Sequence, residues 1–347
     1  MITSERKPRA LITGITGQDG ILLAEALLTK GYEVIGFGRR ASILSRSAAK
    51  GLYDRIELVY GDLDDSMDIA DAIHRQSPDE VYNLAAQSVP GLSSSRSIET
   101  GRVTGIGAHR LFEAVRRFRP DCRIYHASSS EMFGGLIEIS QNESTPFNPA
   151  NPYAAAKLYA HHMAAIYRKS YGMFISCGIL FNHESPYRSM NFLTQKVTYG
   201  AACAKLGILD SIAKNEEGES IVRNGKLSIG NLDASRDWGY AKDYVQAMWR
   251  ILQHSKADDF VIGTGVSRTV RELCQVAYAH VNADWREHVI SDPRFFRPIE
   301  TSATVADASK AYRELGWSPS ISFEEFLGEM VDVHLVALQG RSNNTSY

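Results

Sequence analysis

Short apolar runs alternate with longer stretches of helical periodicity through the first half of the chain. Arg9-Ala10-Leu11-Ile12-Thr13 reads as a strand, and 20–30 then reads as a helix. Strands follow at 33–37, 56–60, 80–84, 123–127 and 173–181, with helical segments such as 66–75 and 109–118 between most of them. Strand–helix alternation at this spacing predicts an α/β fold built on a doubly wound parallel sheet. Beyond about residue 182 the alternation loosens. The pattern there gives a helix over 191–204, a polar loop over 210–224, a short strand over 226–229, and a polar, frayed tail after Gln339. The expected organisation is a Rossmann-type dinucleotide-binding domain over 1–182. A smaller mixed C-terminal lobe over 183–340 binds substrate, with some chain returning to the sheet. Ligands of open α/β sheets bind at the carboxyl ends of the strands, under such a lobe.

Composition narrows the function classes. The 347 residues are 44% hydrophobic and 22% charged with a formal charge of −2, which suits a folded protein and gives no reason to expect a nucleic-acid partner. No run of about 18 apolar residues is present, so no membrane span is expected. The N-terminus is polar up to the first strand and does not read as a signal peptide. Cys122, Cys177, Cys203 and Cys274 are scattered without metal-ligand spacing. They read as reduced thiols of a cytoplasmic protein, and no metal is expected.

Between the first strand and its helix, Gly14, Gly17 and Gly20 stand in the spacing Gly-x-x-Gly-x-x-Gly, with Gln18 and Asp19 inside it. Missing side chains let the backbone approach a pyrophosphate while the helix N-terminus faces its charge. A site for NAD usually carries an acid after the second strand to hold the ribose 2′-hydroxyl. Here that position reads Phe37-Gly38-Arg39-Arg40. Two guanidiniums suit a 2′-phosphate, which points to NADP. Asp62, followed by Leu63, is a further candidate near the adenine, although an Asp after a strand is often only a turn former.

The reactive groups come later. Tyr153 and Lys157 are one helical turn apart and follow Pro152, a good first-turn residue. A protonated lysine lowers the pKa of the phenol, so that Tyr153 can serve as base toward a hydroxyl, with Ser129 sharing the same oxygen. A plain dehydrogenase needs no more than these. Glu131, two residues past Ser129, suggests removal of a carbon-bound proton as well. His183-Glu184 resembles a metal pair without further ligands in spacing and reads as structural or substrate-adjacent. His161-His162 read as helix surface or packing.

These motifs resemble the extended short-chain dehydrogenase/reductases, and within them the GDP-mannose 4,6-dehydratase family. The likeness runs through the glycine loop, Arg39-Arg40-Ala41-Ser42, Asn83-Leu84-Ala85-Ala86-Gln87-Ser88, Ser129-Ser130-Glu131-Met132-Phe133-Gly134 and Pro152-Tyr153-Ala154-Ala155-Ala156-Lys157. It continues in Asn182-His183-Glu184-Ser185-Pro186, Arg236-Asp237-Trp238-Gly239 and Arg297-Pro298-Ile299-Glu300. The resemblance implies a cycle of C4 oxidation, C5/C6 water elimination and hydride return to C6, giving a 4-keto-6-deoxy sugar with tightly held NADP. It implies catalytic roles for Ser129, Glu131, Tyr153 and Lys157. Leu84, Ala85 and Ala86 join the cofactor site, and Asn182, Lys196, Arg236, Arg297 and Glu300 hold a GDP-sugar. It also implies a homo-oligomer, dimer or tetramer. Departures at 89–107 and 207–226, the last longer than the family pattern, bear on the sugar and base but not on the reaction type, and one at 46–50 bears on assembly. Three alternatives stand beside this reading, the second opposed by Glu131 and the third by the presence of both Tyr153 and Lys157. These are a related GDP-sugar such as a GDP-heptose, an epimerase or ketoreductase, and a catalytically silent NADP-binding regulator.

Overall fold

The computed structural model describes residues 6–45, 49–88, 90–134, 140–215, 218–296 and 305–344. Among these, the strands in chain order begin with β1 (Arg9–Thr13), β2 (Glu33–Gly38), β3 (Glu57–Tyr60), β4 (Glu80–Asn83), β5 (Arg123–Ser129) and β6 (Ile175–Leu180). They continue with β7 (Asn182–Glu184), β8 (Val222–Arg223), β9 (Lys226–Ile229), β10 (Ser235–Tyr240), β11 (Asp259–Ile262), β12 (Ser267–Thr269) and β13 (Val289–Ser291).

The main sheet runs β11-β6-β5-β4-β1-β2-β3, and every pairing in it is parallel. A parallel sheet is covered on both faces, so its strands alternate between two apolar layers rather than between oil and water. Ala10 and Ile12 of β1 face one layer with Tyr82, Tyr125 and Phe260, against the helices Gln18–Thr29 and Ala241–Gln253. Leu11, between them, faces the other layer with Val81, Ile124 and Cys177, under the helices Ser66–Gln76, Gly107–Phe118 and Pro152–Tyr171. Strand order reverses between β1 and β4. The crevice where such sheets take ligands therefore opens above the loops that follow these two strands.

The second half contributes more regular structure than its sequence pattern suggests. β11 joins the main sheet beside β6, and β10 pairs with β7 and β12 in a small mixed sheet. β9 pairs with β8 and β13 in another. The helices Leu193–Lys205, Val270–Ala279 and Phe323–Asn344 pack around a separate core that includes Trp238, Tyr278, Phe326 and Met330. Two expectations need correction. The stretch read as a polar loop over 210–224 is in its described part an antiparallel arm: Ser211 N donates to Val222 O (2.9 Å), Ile221 N to Ala213 O (2.9 Å) and Asn215 N to Glu219 O (2.8 Å). Backbone ladders of this kind need no apolar period, so the sequence hides them. The tail also does not fray at Gln339. The last helix continues to Asn344, carried by the packing of its earlier turns.

Candidate active site

The glycine loop is a cradle that side chains would fill. A Cβ on Gly20 would stand 2.4 Å from Gly14 O and 2.7 Å from Ile15 Cα; one on Gly14, whose φ is +74°, would stand 2.8 Å from Ala85 N. Gly17 is the N-cap of the helix Gln18–Thr29, and no side-chain hydrogen bond caps it. A bare, close-packed backbone at a helix N-terminus fits a dinucleotide pyrophosphate. Thr13 ties the two loops at the switch point together. Its Oγ1 donates to Asn83 Oδ1 (2.8 Å) and accepts from Leu84 N (3.1 Å) and Ala85 N (3.2 Å). Ala86 is half-buried beside them, and Arg39 and Arg40 are exposed at the end of β2, Arg40 over the Tyr60 ring at 5.6 Å. Asp62 shapes its own turn by accepting from Asp64 N (3.0 Å), and Leu63 is buried in the apolar layer.

β5 and the helix Pro152–Tyr171 assemble the reactive group. Asn151 caps that helix with Pro152 in its first turn, which puts Tyr153 and Lys157 on the face toward the end of β5. Lys157 is buried and its Nζ donates to Ala127 O at 2.5 Å. Ser129 Oγ accepts from Glu131 N at 3.2 Å, and Glu131 Oε2 accepts from Asn151 Nδ2 at 2.9 Å. Burial pushes the Tyr153 phenol up to about 12. A hydrogen bond with Ser129 works against this, and the Glu131 carboxylate works with it. Burial likewise draws Lys157 down to about 8, opposed by Asp19. In the protein alone the phenol thus lies above its ordinary value, contrary to the expectation that Lys157 brings it down. The cause is that burial of the phenol outweighs the Ser129 hydrogen bond and the Arg188 charge that oppose it.

A second set of groups joins the glycine loop to β7. His183 Nε2 lies 2.9 Å from Asp19 Oδ2, and its Nδ1 lies 2.7 Å from Phe181 O. Gln18 Nε2 donates to His183 O (3.0 Å) and Ser185 Oγ donates to Gln18 Oε1 (2.8 Å). The His183 ring stacks on Tyr244 with centroids 4.4 Å apart. Burial alone pulls His183 down, but the Asp19 carboxylate outweighs it and the net shift is upward. Asp19 itself, though buried, is held at about 2 by His183. Arg188, which motif reading passed over, pairs with Glu184 (3.2 Å), lies 3.5 Å over Phe192, and acts electrostatically on Asp19, Tyr153 and His183. No spacing signal marks Arg188, because its place depends on the turn after β7.

The substrate candidates are distributed over the smaller lobe. Asn182 opens β7 and is in register with Trp238 of β10; Arg236 is two residues earlier on β10 and buried. The neighbouring Asp237 does not pair with Arg236. It points to the other side and accepts from Thr264 N (2.9 Å), Thr264 Oγ1 (2.6 Å), Gly265 N (2.9 Å) and Ala306 N (3.1 Å). Lys196 lines a small-lobe cavity with Lys226 and Arg294, and Asn215 and Glu219 of the antiparallel arm form part of its wall. Arg297 and Glu300 lie outside the described residues.

His161, Cys177 and Asp259 place three ligand-type atoms within 4.8 Å of one another. Arg168 already pairs with Asp259 at 2.5 Å, Ser128 hydrogen-bonds His161 Nδ1 at 3.0 Å, and burial pushes the Cys177 thiol far up, which keeps it protonated. The arrangement is a hydrogen-bonded part of the core, in line with the packing role read for His161. No described helix is long and apolar enough to cross a membrane.

A family model described as GDP-mannose 4,6 dehydratase matches residues 11–330. GDP-mannose 4,6 dehydratase 1 of Arabidopsis thaliana is 44% identical over 343 residues, covering 95% of this chain and 91% of that protein. The Homo sapiens GDP-mannose 4,6 dehydratase is 41% identical, covering 95% and 93%. Among solved structures, a UDP-glucose 4-epimerase from Thermotoga maritima superposes with a TM-score of 0.80 at 20% identity, covering 95% of this chain and 99% of that one. A dTDP-glucose 4,6-dehydratase from Streptomyces venezuelae gives 0.77 at 24%, covering 96% and 98%. At these identities the structures speak to the fold.

Proposed function

The chain belongs to the GDP-mannose 4,6-dehydratase family, and on that premise we propose that it is an NADP-dependent hydro-lyase converting GDP-mannose to GDP-4-keto-6-deoxymannose. The observation that carries the chemistry is Glu131, whose backbone N donates to Ser129 Oγ and whose carboxylate accepts from Asn151, the cap of the helix that holds Tyr153 and Lys157.

When bound, the dinucleotide supplies a hydride acceptor for C4, a hydride donor for C6, and a ring whose positive charge favours an ionised phenol. Gly14, Gly17 and Gly20 with the first turn after them hold its pyrophosphate, and Arg39 and Arg40 suit the 2′-phosphate that distinguishes NADP from NAD. Tyr153 takes the proton of the sugar 4-hydroxyl while Ser129 steadies the same oxygen. Tyr153 does this as the phenolate; burial gives that phenolate a high proton affinity, so its proton uptake runs together with oxidation at C4. The 4-ketone acidifies C5–H. Glu131 takes that proton, the C5–H electrons form the C5=C6 bond, and C6–O breaks. Glu131 returns the proton to the departing hydroxyl, which leaves as water. On this reading Asn182, Lys196 and Arg236, together with Arg297 and Glu300, hold the GDP-sugar.

Two further assignments accompany this reading. A homo-oligomer is supported by exposed apolar side chains at Ile106, Tyr159 and Ile166, on packed neighbouring helical segments of the main domain. A cytoplasmic location is supported by four buried free thiols. The test is a nucleotide-sugar panel with mass detection on wild type and Glu131→Gln. Wild type should release a GDP-4-keto-6-deoxy sugar. The variant should stall after C4 oxidation, with reduced nicotinamide absorbance and no loss of water. Dehydration by Glu131→Gln near the wild-type rate would refute the assignment of the C5 base.

A further inference from the structure

The elimination step demands that the carboxylate keep a fixed position relative to the phenol, since both work on one sugar ring. Glu131 sits on the short turn Ser130–Phe133, which follows β5, whereas Tyr153 and Lys157 sit on a helix that starts about twenty residues later. Backbone bonds brace the turn. Glu131 N is held by Ser129 Oγ, Gly134 N donates to Glu131 O (3.1 Å), and Asn148 N donates to Met132 O (2.9 Å). None of these fixes the carboxylate itself.

Asn151 reaches it. The residue has extended backbone (φ −149°, ψ 163°), and its Oδ1 accepts from Ala154 N at 2.8 Å, which pins one end of a planar amide to the first turn of the catalytic helix. Planarity then fixes where the other end points, and there Nδ2 donates to Glu131 Oε2 at 2.9 Å. We propose that Asn151 is a positioning residue for the elimination step, one that couples the C5 base to the helix carrying Tyr153 and Lys157. The inference rests on the dehydratase reading of Glu131. The amide does two things. It gives the carboxylate a donor that fixes the place of one of its oxygens. It also transmits the position of the helix start to the carboxylate, so that the groups acting at C4 and C5 keep one geometry.

The capping function and the donor function can be separated by substitution. Serine is a good N-cap but is too short to reach Glu131 while capping. Aspartate caps equally well and keeps the shape, but replaces the donor with a second anion. Both variants should therefore fold and retain NADP, which circular dichroism and cofactor absorbance check. In Asn151→Ser, C4 oxidation followed as reduced nicotinamide in a single turnover should stay within about twofold of wild type. Water loss and solvent-hydrogen exchange at C5 should fall roughly tenfold or more, the scale of a misplaced catalytic group. In Asn151→Asp the fall should be deeper, because a second anion then faces the Glu131 carboxylate. The contact should also show without turnover, as a displaced Asn151 side-chain amide resonance in Glu131→Ala.

Equal slowing of oxidation and elimination would mark general damage and overturn the proposal. So would unchanged elimination in Asn151→Ser, or an Asn151 side-chain amide resonance that Glu131→Ala leaves in place. Wild type inert toward GDP-mannose would refute the functional reading instead, and the Asn151 amide resonance would still decide the contact.

Discussion

Replacing His183 by Gln should weaken the protein in a way that depends on pH. Both ring nitrogens of His183 face atoms that only accept, the Phe181 carbonyl at 2.7 Å and the Asp19 carboxylate at 2.9 Å. A neutral imidazole can donate to one of them only, so the arrangement calls for the imidazolium. Gln keeps at most one donor in that geometry and no charge. The loss can be bracketed in two ways. A hydrogen bond to a charged group is worth about 1.5–3 kcal/mol. Independently, the displacement of Asp19 from 3.8 to about 2 corresponds to about 2.5 kcal/mol, an upper bound because the carboxylate keeps some contact with solvent. A cost of about 2 kcal/mol near pH 6 follows. Its sign with pH is set by the two shifts. His183 is raised, so its contribution is complete below the unfolded value of about 6.5 and is lost as pH rises through the higher folded value. Asp19 is lowered, so its contribution is present above about 3.8 and is lost only as pH falls through about 2. The measurement is thermal unfolding of wild type and His183→Gln, both saturated with NADP, at pH 6 and pH 9. The gap in Tm should be several degrees at pH 6 and should shrink at pH 9, because wild type has by then lost what the variant never had. An equal gap at both values would show that His183 is held neutral, and the reasoning from its two acceptors would be wrong.

Two further outcomes test the cofactor end. Gly20→Ala should abolish measurable NADP binding or prevent folding of the loop, since its Cβ would meet backbone at 2.4 and 2.7 Å with no flexible side chain to give way; calorimetric binding within about threefold of wild type would contradict this. Arg39→Ala combined with Arg40→Ala should weaken NADP by about tenfold or more and NAD hardly at all in a binding titration, and equal losses for both cofactors would remove the 2′-phosphate assignment.

How much of this could be read in advance depends on whether a residue's role is set by its neighbours in sequence or by its neighbours in space. The glycine loop is local: strand, three glycines and helix occur together, and the structure returns that order, with Gly14 at positive φ and Gly20 too close to Gly14 for any side chain. Tyr153 and Lys157 are local in the same sense, four residues apart on one helix that opens on Pro152. β11 was not legible, because a buried edge of four residues, Asp259–Ile262, is too short to show a period and acquires its identity only by pairing with β6. The phenol of Tyr153 was misjudged for a related reason. A sequence shows that a lysine is near but not how completely the oxygen is enclosed, and enclosure is the larger effect. Arg236 and Asp237 make the same point with polar groups. Adjacent in sequence, they suggest a pair, yet strand alternation sends them to opposite sides, and Asp237 finds four donors from β11's following loop and from Ala306. Asn151 lies at the limit of what sequence reading can reach. One of its hydrogen bonds needs the helix to start at Pro152, the other depends on where a turn after β5 places Glu131, and only the folded chain brings the two side chains within 2.9 Å. Long-range polar contacts of this kind carry no periodicity and no spacing rule, so a site's chemistry can be read from its motifs while the groups that aim that chemistry cannot.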